Sequence, residues 1–218
     1  MRTAAVLPVK SFANAKQRLG DAVGGSDRED LAAAMVGDVL AALRAVAQLD
    51  EVIVVTAEPV AAGEAERAGA VVVHDPDEWG QSAAANRGID AALARDAGRV
   101  LLVPGDCPAL DPGEVARLLA RDDETPSVVI VPDRHGSGTN ALLLAPPGAV
   151  EPSFGTGSFA RHAARARAAG AAVKVCELPS LGLDVDTPDD LAALRRALAA
   201  RPDTAHRTRA VLSRLVAA

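Results

Sequence analysis

Val100-Leu101-Leu102-Val103-Pro104-Gly105-Asp106-Cys107-Pro108 is the stretch on which the fold turns. Four apolar residues in a row suit a strand buried on both faces, as in a sheet sandwiched between helices. Pro104 and Gly105 then break the strand, and Asp106 follows where the buried strand ends.

The same pattern repeats on both sides of this strand. Thr3 to Val9, Val52 to Val55 and Ala70 to His74 read as further strands. Longer Ala/Leu-rich segments separate them, including one to about Val46 and Gln81 to Ala94. Alternation of this kind predicts an α/β fold with a mostly parallel central sheet and helices on both faces. Ser26-Asp27-Arg28-Glu29 has the form of a capping box opening the first long helix. Beyond residue 120, the runs Ser127 to Val131 and Ala141 to Ala145 are joined by too short a link for a helical crossover, so they are expected to pair antiparallel. A helix over Ser158 to Ala169 and a strand over Val173 to Glu177 follow. Thr187-Pro188-Asp189-Asp190 opens another helix, with threonine as cap, proline first and acid in the first turn.

The 218 residues fit one domain, 1–218, with a helical tail from about residue 201. No internal repeat or linker interrupts it. Apolar residues make up 49% of the chain and charged residues 24%, enough for a sizeable core. Aromatics are only 2% and the net charge is −6, which argues against nucleic acid as a partner. Cys107 and Cys176 are too few for a disulfide framework and suit a reducing compartment. No apolar run is long enough for a membrane span, and Lys10 comes too early for a signal peptide. A soluble, cytoplasmic protein is expected.

Three groups of residues carry chemistry. Asp184 and Asp186 lie two apart in Leu183-Asp184-Val185-Asp186-Thr187-Pro188, so in an extended segment both face one side. With Asp106 they suit an oxygen-liganded Mg²⁺, although aspartates also serve as caps and turn formers. Lys10, Lys16 and Arg18 follow the first strand, at the sheet edge where α/β proteins bind ligands; they suit a polyphosphate or, failing that, a solvated loop. Gly136-Ser137-Gly138-Thr139-Asn140 and Phe154-Gly155-Thr156-Gly157-Ser158 offer backbone amides to an anion, the second directly before a helix. Gly155 to Ala160 also fits the dinucleotide-binding spacing, but no strand feeds into it. The four histidines show no metal-ligand spacing. His162, with Arg161 and Arg165 on its helix, is expected to help attract an anion.

Taken in order, Leu7-Pro8-Val9-Lys10, Ala15-Lys16-Gln17-Arg18-Leu19, Pro104 to Leu110, Asp133 to Leu142, Phe154 to Ser158 and Asp184 to Pro188 resemble the 2-phospho-L-lactate guanylyltransferase family. The likeness runs from Leu7 to about Leu194. It implies a nucleotidyltransferase fold of the GT-A-like, Rossmann-like type. It also implies transfer of GMP from GTP to a small phosphorylated three-carbon acid, with release of pyrophosphate, in coenzyme F(420) biosynthesis. The Ala/Arg-rich composition points to a high-GC bacterial genome and, within the family, to phosphoenolpyruvate over 2-phospho-L-lactate. By position, the resemblance assigns Asp106, Asp184 and Asp186 to Mg²⁺ and Thr139, Gly155 and Ser158 to the phosphoacid. Lys10, Lys16 and Arg18 would meet the GTP phosphates in a catalytic role, and Gln81 and Asn86 would lie on the nucleotide side. Ala85 stands where the family usually has leucine. A homodimer is compatible with the family. The alternatives are a nucleotidyltransferase acting on a sugar phosphate or molybdopterin, and a nucleotide-binding protein without the reaction.

Overall fold

Seven strands and seven α-helices follow one another along the chain in the computed structural model, which describes residues 1–14, 16–121 and 124–217. Ala15, in the motif after the first strand, lies outside them. The order is β1 (Thr3–Val9), α1 (Gly25–Arg44), β2 (Glu51–Thr56), α2 (Pro59–Arg67), β3 (Val71–His74), α3 (Gln81–Leu93), β4 (Arg99–Leu102), α4 (Pro112–Leu119), β5 (Ser127–Pro132), β6 (Thr139–Ala145), α5 (Ser158–Ala168), β7 (Ala172–Val175), α6 (Pro188–Ala199) and α7 (His206–Ala217). Two short 3-10 turns, Phe12–Asn14 and Gln17–Ala22, fill the link from β1 to α1.

The strands form one sheet in the order β3-β2-β1-β4-β6-β5-β7. All neighbours pair parallel except around β6, which runs antiparallel to both β4 and β5. The expected pairing of the two runs after residue 120 is therefore present, within a largely parallel sheet. Reversal of β6 matters for the site. It brings Thr139 and Asn140, at the start of β6, to the same sheet edge as the end of β4, because Leu102 pairs with Leu142. The chain also reverses its direction of travel across the sheet between β1 and β4, so the loops after these two strands flank a switch point.

Helices cover both faces, and β1 shows the two-residue alternation. Ala5, Leu7 and Val9 face a core with α1, α2 and α4, while Ala4 and Val6 face one with α3 and α5. Alanine does much of the work that aromatics do elsewhere. Along α3, Ala84, Ala85 and Ala92 are buried, and Gly88 sits so close to β1 that a Cβ would stand 2.2 Å from Val6 Cγ1. A third cluster joins α1 and α6 to the C-terminal helix through Leu31, Met35, Leu194, Leu198, Val211 and Leu212.

Local signals give three corrections. The Ser26–Glu29 capping box does not form, because α1 begins earlier, with Gly24 as its N-cap, and Ser26 is already helical. α4 went unread although Asp111-Pro112 opens it; the Asp111 side chain accepts from the Gly113 and Glu114 amides. The last strand is Ala172–Val175, ending where its register with β5 ends, at Ile130. Thr187 does cap α6 as expected. The reciprocal bond from the Asp190 side chain makes a complete capping box.

Candidate active site

Lys16 is the electrostatic centre of the switch-point edge. Its backbone is left-handed, at φ 54° and ψ 30°, a conformation that costs a non-glycine residue about 1 kcal/mol. That turn points the side chain inward, where it is 9% exposed. Its ammonium donates to Asp106 Oδ2 at 2.6 Å and to Asp186 Oδ1 at 3.0 Å. Burial works against the charged form. The two carboxylates more than offset it, so the Lys16 pKa is raised and the ammonium stays charged. Arg18 adds a longer contact to Asp186 at 4.0 Å from an exposed position.

The aspartates arrive from distant parts of the chain. Asp106 follows β4. The segment after β7 crosses back over the ends of β5 and β6, held by the Arg134 amide to Gly182 O and the Asn140 side chain to Leu181 O. The Val185 amide then donates to Asp106 O at 3.2 Å and locks the two segments together. Asn140 also donates to Asp184 Oδ1 at 3.1 Å. Burial and the charge of Asp106 nevertheless raise the Asp184 pKa, which marks an unmet need for positive charge.

Asp106 Oδ1 is buried and has no hydrogen-bond partner. The hard oxygen donors and this surplus negative charge fit a divalent cation such as Mg²⁺. The three carboxylates do not close into a ligand cage by themselves: among the described residues no group of three His, Cys, Asp or Glu side chains reaches metal-holding geometry. Lys16 occupies the space between Asp106 and Asp186 instead.

A cavity of about 460 Å³ opens beside this cluster. Lys10, Lys16, Arg18, Gln81, Asp106 and Asp186 line it. Gly80 and Gln81 also place the start of α3 there. Gly80 is its N-cap at φ 112° and contributes no capping side chain, so the first amides of a 13-residue helix face the cavity. The loop after β1 is held open by two acids, with the Ser11 amide donating to Glu78 and the Phe12 amide to Glu58. Asn86 lies farther along α3 and does not line the cavity.

Thr139, Gly155 and Ser158 gather in a neighbouring cluster built around His162. The Ser153 amide donates to His162 Nε2 at 2.8 Å, so Nδ1 carries the proton and donates to Thr139 Oγ1 at 3.0 Å. The Thr139 hydroxyl proton is thereby left to donate elsewhere. His162 is fully buried, and burial together with the charges of Arg161 and Arg165 pushes its pKa down to about 4. The expectation that His162 attracts an anion is therefore wrong. It is a neutral imidazole that orients Thr139, because a buried ring beside two guanidiniums cannot keep a proton. Arg161 is also turned inward, donating to the carbonyls of Ser153, Phe154 and Thr156. The Phe154 amide donates to Ser82 Oγ at 2.9 Å and ties this loop to the start of α3. Gly157 caps α5 at φ 70° with no side chain, and backbone carbonyls take the first two amides of that helix, Ser158 donating to Gly155 O and Phe159 to Ser137 O.

A model of the family described as guanylyl transferase CofC-like matches residues 3–196. The chain belongs to this family. It is thus an enzyme, a guanylyltransferase of nucleotidyltransferase fold. The phosphoenolpyruvate guanylyltransferase of Conexibacter woesei is 49% identical over 217 residues, covering 99% of this chain and 97% of its own. That of Rubrobacter xylanophilus is 43% identical over 194 residues, covering 89% and 94%. Among solved structures, a putative nucleotide-diphospho-sugar transferase from Desulfovibrio desulfuricans G20 superposes with a TM-score of 0.78 at 18% identity, over 100% of this chain and 96% of its own. CMP:2-keto-3-deoxy-manno-octonic acid synthetase complexed with CTP gives a TM-score of 0.62 at 16% identity, over 91% and 99%. These last two speak for the fold. No helix of the enzyme, among the described residues, is long and apolar enough to cross a membrane.

Sequence reasoning missed Asp75 altogether, and the side-chain roles of Asn140 and Arg161. Asn140 had no local signal, since its role depends on a segment 41 residues away. Asp75 had one: it is an acid directly after a strand end, as Asp106 is an acid four residues past one.

Proposed function

We propose that this guanylyltransferase joins GMP from GTP to phosphoenolpyruvate, releasing pyrophosphate, within coenzyme F(420) biosynthesis. The observation that carries the reading is the Asp106–Lys16–Asp186 cluster, with its buried ammonium, lining a cavity of about 460 Å³. The names of the relatives above supply the phosphoacid. Asp106, Asp184 and Asp186 would hold Mg²⁺, which when bound neutralises charge on the triphosphate. Lys10, Lys16 and Arg18 add positive charge to the same phosphates, and Gln81 with the start of α3 receives the nucleotide.

On the acceptor side, Thr139 donates its free hydroxyl proton, and Gly155 and Ser158 lie at the start of α5. The acceptor phosphate is largely dianionic at neutral pH, its second pKa being about 6. Its oxygen therefore attacks the α-phosphorus without a general base. A new P–O bond forms as the bond to the bridging α–β oxygen breaks, and pyrophosphate leaves with that electron pair. The chain's task is to align the two anions and offset their repulsion. No thiol or imidazole step is needed. Burial first, then Asp106 and Asp184, raises the Cys107 pKa far above the usual thiol range.

The test is to incubate the protein with GTP, Mg²⁺ and, separately, phosphoenolpyruvate, 2-phospho-L-lactate and 3-phospho-D-glycerate, identifying products by mass. A guanylyl adduct with phosphoenolpyruvate, formed in step with pyrophosphate, is expected. Absence of an adduct with every phosphoacid would refute the proposal.

A further inference from the structure

The cavity has a second acidic end that phosphate chemistry does not use. Asp75 and Glu78, in the link from β3 to α3, line it together with Gly80. They lie at the β3 edge, three strand positions from β4, or roughly 14 Å from the Asp106 end at ordinary strand spacing. A nucleotide with its phosphates near Asp106 and Lys16 would lay its base at this end. The two acids differ in what they have left to offer. Glu78 accepts the Ser11 amide proton at 2.6 Å. Asp75 is only 5% exposed, yet its Oδ1 has no hydrogen-bond partner. Arg87 Nε lies 3.0 Å from that oxygen, close enough for ion pairing but out of line for a hydrogen bond, and Arg87 also pairs with Asp77. A buried carboxylate with an unmet acceptor is costly unless something donates to it.

Resting on the GTP site proposed above, we infer that Asp75 reads the guanine base by accepting from its N1–H and 2-amino groups. Guanine presents those two donors side by side. Adenine offers an acceptor at N1 and nothing at C2, and cytosine lacks the paired donors, so a carboxylate here selects against both. Arg87 steadies the carboxylate from α3 without saturating it. The same pairing explains why an unfilled acceptor is tolerated before the nucleotide arrives: the guanidinium offsets the charge, and the base supplies the donors.

Equilibrium binding tests this independently of turnover, by titrating GTP, ITP and XTP with Mg²⁺ into wild-type protein and Asp75→Asn. Inosine lacks the 2-amino group, so the wild type should bind ITP about 10- to 100-fold more weakly than GTP, the range for one hydrogen bond to a charged group. Asp75→Asn should lose a comparable factor for GTP and gain affinity for XTP, whose C2 carbonyl can accept from the new amide. Equal wild-type affinity for GTP and ITP overturns the inference without any variant. An Asp75→Asn protein that melts lower but keeps the wild-type order of affinities also overturns it, leaving Asp75 as a structural partner of Arg87. Failure of guanylyl transfer itself would appear only in the product assay, so the two readings fail separately.

Discussion

His162 illustrates how one buried ring can set both a hydroxyl's direction and a pH limit. Its neutral form accepts from Ser153 and donates to Thr139, and protonation would break the first of these bonds. The folded-state pKa is about 4, below the ordinary value of 6.5, so the unfolded chain binds more protons between those two values. Stability is thus fully present above pH 6.5 and is lost as pH falls from 6.5 toward 4, by on the order of 3 kcal/mol. Urea unfolding of wild type and His162→Asn at pH 7 and pH 4.5 checks this: the variant should lose much less between the two. A similar loss in both would remove His162 as the cause. Sequence reading had placed His162 beside two arginines and inferred an anion site. Sequence spacing carries no information about burial, and burial reversed the conclusion. Asp106, by contrast, was legible because the acid follows the end of an apolar run within a few residues.

At the scale of elements, the signals that worked were those completed within a few residues. Thr187, Pro188 and Asp190 form a helix start on their own, and Asp190 is held below the usual carboxylate pKa: burial opposes this, but the Thr187 hydroxyl and amide and the Asp186 amide prevail. Ser26 and Glu29 had the same spelling and failed, since Gly24 let α1 begin earlier. The start of α7 shows a device that no local reading could find. Asp38, in the middle of α1, accepts from the amides of Arg207 at 3.2 Å and Thr208 at 2.8 Å, supplying a cap from another helix. Arg207 reaches on to Glu64 of α2 at 2.6 Å. Asp38→Ala should therefore cost about 1–2 kcal/mol, the usual worth of a lost cap. For a chain of this size that lowers the thermal midpoint by roughly 2–8 °C. Amide exchange should accelerate at Arg207 and Thr208 while guanylyl transfer per folded molecule stays unchanged.

For the molecule as a whole, the cost of the site lies in bringing like charges together. Asp106 and Asp184 repel across a bond network that joins β4, β6 and the segment before α6. Asp184→Asn removes a charge the fold does not need, so the variant without ligand should be at least as stable as wild type. It should also lose most of the rise in thermal midpoint that GTP with Mg²⁺ gives the wild type. A variant that is destabilised without ligand yet keeps the full ligand-dependent rise would show that Asp184 serves the fold rather than the site. The sequence by itself determined the α/β class, most of the strands, the acids at strand ends and, through motifs in order, the family. These depend on apolar runs, turn residues and short spacings, all local along the chain. Tertiary structure alone decided that β6 runs backwards and delivers Thr139 and Asn140 to the switch-point edge. It also turned Lys16 onto Asp106 and Asp186, neutralised His162 and left Asp75, a residue lining the cavity, with a buried oxygen that has no hydrogen bond. Each of those outcomes rests on burial and on partners remote in sequence, and neither is written in any single stretch of residues.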